Sequence, residues 1–218
     1  MHIEFLIEDI STKTFLENII EQIIDRNITW DIHSYKGIGR IPKNLKGTID
    51  PKKRILLDRL PKLLAGYGKT FSGYPDDYKA IVIIITDLDD RNLKNYLLEL
   101  NTVLNNCKHQ PNTRFCIAIE ESESWFLGDI SAIKKAYPRS KQRVFSSYTN
   151  DSICGTWEKL ADAIYPGGSL ALKNQGWQFV GKTKSDWAEK ITPFMDINKN
   201  NSKSFCHFRD TLKAITPV

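Results

Sequence analysis

A run of aliphatic residues that ends in acidic ones constrains the fold of this chain more than any other feature. Residues 80–85 are all apolar, and Asp87, Asp89 and Asp90 follow directly after them. A strand that is apolar along its whole length is buried on both faces, which is typical of a central strand in a parallel sheet. No apolar stretch in the chain approaches the roughly 18 residues of a membrane span.

Strand and helix patterns alternate through the first part of the chain. Strand patterns lie at 3–7, 28–35, 79–86 and 113–119, and helical periodicity lies near 15–24, 51–65 and 93–104. This alternation favours an α/β fold with an open, mostly parallel sheet flanked by helices. Helical segments are expected later, near 156–164, 183–191 and 203–215. We therefore predict an α/β domain over 1–136 and a helical C-terminal extension over 137–218 packed on it.

Composition narrows the class of protein. The chain has 218 residues, which suits one domain or one domain with an appendage. Its four cysteines show no CxxC spacing, so neither a disulfide framework nor a zinc ribbon is expected. The first residues lack a basic and then apolar leader, and we therefore expect a cytoplasmic protein with no membrane partner.

The charge is divided along the chain. Residues 36–69 carry ten Lys/Arg against two Asp, and residues 131–218 carry fourteen against seven acidic residues. The remainder carries seventeen acidic residues against seven basic ones, within a net charge of +5. This pattern indicates either ordinary solvated surface or a nucleic-acid-binding protein with an acidic centre. The candidate phosphate-binding residues are Lys36, Arg40, Lys43, Lys46, Lys182 and Lys184, the last two in a glycine-bounded turn.

Carboxylates follow three of the predicted strands. The groups are Glu8-Asp9, Asp87-x-Asp89-Asp90 and Glu120-Glu121-x-Glu123. Ligands of open α/β sheets bind just beyond the carboxyl ends of strands, so the groups are expected to meet at one edge. Like charges packed together need a cation, and oxygen ligands suit Mg²⁺. None of the four histidines shows HxxxH or HExxH spacing, so we interpret them as incidental and favour Mg²⁺ or Mn²⁺ over zinc.

Several of these residues also have ordinary structural interpretations. Asp89 or Asp90 could simply cap the helix that follows, and Glu121, beside a second glutamate, is expected to face solvent. Trp125 is expected in the core. Ser202 and Ser204 are expected to cap the last helix.

The pattern of a glutamate after the first strand and Asp87-x-Asp89 after a later one resembles the Toprim domain. More narrowly, the chain resembles a Toprim-like bacterial family catalogued as domain of unknown function 4276. The stretches that carry the resemblance are 3–8, 35–37, Asp87-x-Asp89, 117–129 and 196–205.

The resemblance implies a Mg²⁺-dependent nuclease acting on DNA or RNA. In the Toprim pattern, Glu8 would be the general acid/base, and Asp87 and Asp89 would hold the ion together with it. Glu120 or Glu123 could complete a second ion site or act as the base. Such relatives often accompany an ABC- or AAA-type ATPase in bacterial anti-phage defence.

One departure from the Toprim pattern favours an alternative. Asp9 stands where Toprim domains commonly have a glycine. The alternative function is a non-catalytic module that binds nucleic acid or an ATPase subunit through its basic faces. A third possibility is phosphoryl transfer on a nucleotide or another small phosphate ester.

Overall fold

A four-stranded parallel sheet forms the centre of the fold. The computed structural model of the protein describes residues 1–37, 39–42 and 55–216. The strands are β1 (His2–Ile7), β2 (Thr29–Ser34), β3 (Ala80–Asp87) and β4 (Thr113–Ala118), in the order β2-β1-β3-β4. In the parallel register, His2 lies opposite both Thr29 and Ala80. The predicted α/β class with an open parallel sheet is therefore confirmed.

Helices make up most of the remaining described chain. They are α1 (Ile10–Ile19), α2 (Leu56–Phe71), α3 (Leu93–Asn105), α4 (Glu123–Leu127), α5 (Ile130–Ala136), α6 (Gln142–Phe145), α7 (Thr156–Ile164), α8 (Gly168–Lys173), α9 (Trp177–Ile191) and α10 (Lys203–Ile215). Two 3₁₀ turns occupy Ile20–Gln22 and Thr192–Phe194. The predicted helical C-terminal region is thus present. Within the described ranges, every helix is too short or too polar to cross a bilayer.

The strand predicted as central is the most deeply buried one. From Ile81 to Ile85, every side chain of β3 is at most 1% exposed. β3 lies between β1 and β4, so neighbouring strands satisfy its backbone groups on both sides. Burial of β3 on both faces agrees with its continuous apolar run, because a strand with one exposed face alternates apolar and polar residues.

Helix α2 continues six residues beyond the predicted end at residue 65. It passes through Gly66 and Gly68, which sequence rules treat as helix breakers. At Gly68 a Cβ atom would lie 1.7 Å from the carbonyl oxygen of His109. The glycine is therefore required for close packing of two backbones, and this contact outweighs its low helix propensity.

The described chain forms two compact units that alternate along the sequence. Unit 1 comprises Met1–Asp9, Arg26–Thr86 and Arg91–Cys116, and it includes β1, β2, α2 and α3. Unit 2 comprises Ile10–Asp25, Asp87–Asp90 and Ile117–Val218. Each unit combines three separate stretches of the chain, so the units do not correspond to a single cut in the sequence. The predicted domain boundary at residue 136 therefore stays a prediction.

Unit 2 is built around a cluster of aromatic side chains. Trp125 is fully buried and stacks on Phe208, with ring centroids 5.1 Å apart. Its indole nitrogen donates to Ser204 Oγ at 3.0 Å. The side chain of Ser202 accepts from Phe205 N and caps α10. The predictions of Trp125 in the core and of Ser202 as the cap of the last helix are confirmed, whereas Ser204 lies inside α10 and is not a cap.

The tail before α10 is bound tightly to the segment after α4. Asn200 donates to the Trp125 carbonyl at 2.8 Å, and Asn201 N donates to the Gly128 carbonyl at 2.8 Å. A Cβ atom on Gly128 would lie 2.0 Å from Asn200 Oδ1. Only glycine therefore permits this approach between the two segments.

Candidate functional site

Backbone hydrogen bonds bring the acidic ends of β3 and β4 together. Leu88 N donates to the Ala118 carbonyl at 2.9 Å, and Asp89 N donates to the Glu120 carbonyl at 2.9 Å. The ladder between the two strands thus extends beyond their last residues. As a result, the Asp87-x-Asp89-Asp90 turn and the Glu120-Glu121-x-Glu123 turn are neighbours, as the sequence predicted for these two of its three groups.

Both turns contain an acidic residue in a strained backbone conformation. Asp89 has φ 51° and Glu120 has φ 60°, and among described residues other than glycine only Asp151 also has a positive φ. The left-handed region is unfavourable for a residue with a Cβ atom, and strain of this kind concentrates at functional sites. The surrounding unit therefore stabilises a turn geometry that the local sequence does not prefer.

The two turns form one side of an acidic pocket in unit 2. The pocket has a volume of about 260 Å³. Its lining includes five carboxylates, which belong to Asp89, Asp90, Glu120, Glu121 and Glu158. Carboxylate oxygens are the ligands that a hard divalent cation prefers. No three of these five carboxylates, all in the described part of the chain, have oxygens within 4.8 Å of one another. The Mg²⁺ that the resemblance implies therefore stays a prediction.

The aspartates of this turn are not used to cap the helix that follows. Asn92 caps α3, and its side chain accepts from Asn95 N at 3.1 Å. The alternative in which Asp89 or Asp90 is the cap is therefore wrong. Asp87 is the last residue of β3 and is buried, whereas Asp90 is exposed.

Glu120 is bound to the segment that begins α7. Its carboxylate accepts from the backbone N–H groups of Cys154, Gly155 and Thr156, at 2.8 to 3.0 Å, and from the Thr156 hydroxyl. Burial alone would raise the pKa of Glu120, but these hydrogen bonds prevail and hold it below the ordinary value. Glu120, which lines the pocket, is therefore ionised, and both of its oxygens already accept hydrogen bonds from the protein.

Glu121 does not face solvent, contrary to the expectation from its position beside another glutamate. Its side chain is 22% exposed and accepts from Trp157 N at 3.2 Å. Burial is the main cause that raises its pKa to about 8, the nearby Glu123 adds to the rise, and Lys184 opposes it. Sequence analysis missed this residue because two adjacent glutamates carry no signal of which one points inward.

A buried ion pair lies next to the pocket residues. Glu123 is fully buried, and Lys184 Nζ lies 3.0 Å from its Oε2 and 3.7 Å from Glu121 Oε1. Lys182 and Lys184 were expected in a turn, but both lie within α9, where Lys182 is exposed. The expected turn is wrong because Gly181 lies inside the helix rather than at a boundary. Lys184 therefore neutralises charge inside unit 2.

The remaining predicted residues lie in unit 1 or outside the described ranges. Glu8 follows β1 and is half-buried, and its carbonyl accepts from Gly37 N at 3.2 Å. Lys36 and Arg40 are exposed. Lys43 and Lys46 lie outside the described residues. The roles predicted for these five residues stay predictions.

Fold and site together define a class: an α/β protein with an open parallel sheet and an acidic pocket at the carboxyl ends of β3 and β4. Residues 7–215 match the family described as Domain of unknown function (DUF4276), and the chain belongs to this family. No curated protein and no solved structure matches the chain.

Proposed function

We propose that this protein is a Toprim-like, Mg²⁺- or Mn²⁺-dependent nuclease of the cytoplasm that cleaves DNA or RNA at the acidic pocket. The observation that carries the proposal is the pairing of the Asp89 and Glu120 turns, which places four carboxylates around one cavity that Glu158 of α7 also lines. A phosphodiester carries negative charge. An acidic cavity can accept it only when cations balance the carboxylates, which favours a metal-dependent reaction.

Asp87 and Asp89 would hold the ion in this proposal. A bound divalent ion lowers the pKa of water and neutralises charge on the phosphate. Burial raises the pKa of Glu121 to about 8 in the metal-free protein, which makes it a candidate general acid for the leaving oxygen. Glu123 and Lys184 would keep Glu121 in position, since Lys184 contacts both carboxylates.

Recognition of nucleic acid would rest on the basic residues. Lys36 and Arg40 are exposed in unit 1, where they are accessible to backbone phosphates. The resemblance extends the proposal to a bacterial anti-phage system in which an ATPase subunit works with this chain.

A second candidate function is a non-catalytic module that binds nucleic acid or an ATPase. The observation in its favour is Lys184, which already supplies a cation to Glu121 and Glu123. A site neutralised from within has less need of metal. Asp9, in the place of the common Toprim glycine, points the same way.

Cleavage of labelled DNA and RNA by the purified chain tests the proposal, with Mg²⁺, Mn²⁺ or EDTA present. Asp89→Asn is the most informative variant, because asparagine tolerates a positive φ and removes only the charge. We expect it to lower the cleavage rate at least about a hundredfold, since changes beyond the direct ligands already cost 10–100-fold. Asp77→Asn, in an exposed turn of unit 1, is the matched control.

Two results would contradict the proposal. Equal cleavage by the wild type and Asp89→Asn would exclude the pocket as the active site. Nucleic-acid binding that EDTA does not affect, with no cleavage under either ion, would instead support the non-catalytic module.

A further inference from the structure

A second group of metal-binding side chains lies in unit 1, on one face of the β1–β2 pair. His2 and Glu4 alternate along β1, and Asp31 and His33 alternate along β2. The parallel register places Glu4 directly opposite Asp31. Because residues two apart on a strand share a face, all four side chains lie on the same side of the sheet. His2 and Glu4 are about 15% exposed, so their polar atoms are largely shielded from water.

Three atoms of this group have the separations that one metal ion requires. His2 Nε2 lies 3.4 Å from Glu4 Oε1 and 3.7 Å from Asp31 Oδ2. All three ligand atoms lie within 4.8 Å of one another. In a tetrahedral site with bonds of about 2.1 Å, ligand atoms are about 3.4 Å apart. The group is therefore close to metal-binding geometry without rearrangement of the strands.

The hydrogen bonds around these atoms orient His2. Its Nδ1 lies 2.8 Å from Thr29 Oγ1, and the Thr29 hydroxyl donates to the Met1 carbonyl. When Nδ1 carries the proton and donates to this hydroxyl, the lone pair of Nε2 is directed toward the two carboxylates. In this tautomer His2 can bind a cation that lies between Nε2 and the carboxylates.

Glu4 is oriented in the same manner from its other oxygen. His33 Nε2 lies 2.7 Å from Glu4 Oε2, and the Tyr67 hydroxyl donates to the same oxygen at 3.4 Å. These contacts leave Oε1 for the side where His2 and Asp31 lie. Partners that fix the orientation of a ligand are a regular feature of metal sites in proteins.

We propose that His2, Glu4 and Asp31 bind a divalent transition metal of the Zn²⁺ type, at a site separate from the acidic pocket of unit 2. An imidazole ligand favours such ions over Mg²⁺, which prefers oxygen ligands alone. Glu4 and Tyr67 also line a cavity of about 270 Å³.

Isothermal titration calorimetry of the full chain with Zn²⁺ tests this proposal. We expect the wild type to bind one ion at this site, and His2→Gln and Asp31→Asn to weaken that binding at least tenfold. Asp31 is 68% exposed, so its variant should fold normally even if a change on β1 disturbs the strand. Thr29→Val, which removes the hydroxyl that contacts Nδ1 and the Met1 carbonyl, should weaken binding about tenfold.

Two control variants separate this site from other sources of zinc affinity. His109→Asn changes an exposed histidine and should bind Zn²⁺ like the wild type. Asp77→Asn changes an exposed carboxylate outside both proposed sites and should also bind Zn²⁺ like the wild type. Because this assay measures binding and not cleavage, its failure is distinguishable from failure of the nuclease proposal. Absence of saturable Zn²⁺ binding, or equal binding by the wild type, His2→Gln and Asp31→Asn, would overturn the proposal.

Discussion

The buried carboxyl group of Glu121 makes a measurable prediction about stability and pH. Its ordinary pKa is 4.5, and burial raises the value in the folded protein to about 8. Between these two values the folded state keeps a proton that the unfolded state releases. The stabilising contribution of Glu121 to the free energy of unfolding is therefore fully present below about pH 4.5 and is lost as the pH rises toward 8.

The size of the effect follows from the linkage between protons and folding. One proton held only by the folded state changes the free energy of unfolding by about 1.4 kcal/mol for each pH unit. From pH 5.5 to pH 7.5, Glu121 should thus remove about 3 kcal/mol of stability. Glu121→Gln should remove this dependence, because glutamine can still accept from Trp157 N but does not ionise.

Urea denaturation at three pH values, in EDTA, measures the prediction. The quantity to compare is the difference in free energy of unfolding between the wild type and Glu121→Gln, since other groups titrate equally in both. Glu99→Gln, at an exposed position of α3, is the control and should follow the wild type. If the free energy of unfolding changes equally with pH in the wild type and in Glu121→Gln, the argument that burial keeps Glu121 protonated is refuted.

Two further predictions concern polar groups that stabilise unit 2. Lys184→Met should lower the free energy of unfolding by about 3–5 kcal/mol, because Glu123 would stay buried without this cation. The control Lys182→Met changes an exposed residue of the same helix and should lower it by less than about 0.5 kcal/mol. Similar losses in the two variants would be inconsistent with a buried pair. Ser202→Ala should cost about 1–2 kcal/mol in chemical denaturation, since it removes the cap of α10 and a 2.7 Å hydrogen bond to Asp151, and an unchanged midpoint would contradict this role.

The order of strands and helices could be predicted because it depends on local patterns. The apolar run of β3 and the periodicity of the helices are visible in any short window of sequence. The same holds for the caps at Asp129 and Ser202, whose side chains accept hydrogen bonds within the first turn of α5 and α10. Each of these features involves residues only a few positions apart.

The details of the site depend on contacts that are distant in sequence and were partly missed. Glu121 and Glu123 turn inward because Trp157 and Lys184, far along the chain, provide their partners. His2 lies near Asp31 of β2 only through the strand register, so spacing rules for helical zinc motifs could not find it. A test for alternating His and carboxylate residues on neighbouring strands would have given a signal.

The packing of α10 against Trp125 has a consequence for any shortened form of the protein. A fragment that ends before α10 would lose Phe205 and Phe208 and would expose the indole of Trp125 to water. Such a fragment should bind hydrophobic dyes and precipitate rather than persist as a smaller folded piece. Biochemical work on the pocket therefore requires the chain through residue 215, even though the last acidic residue that lines the pocket is Glu158.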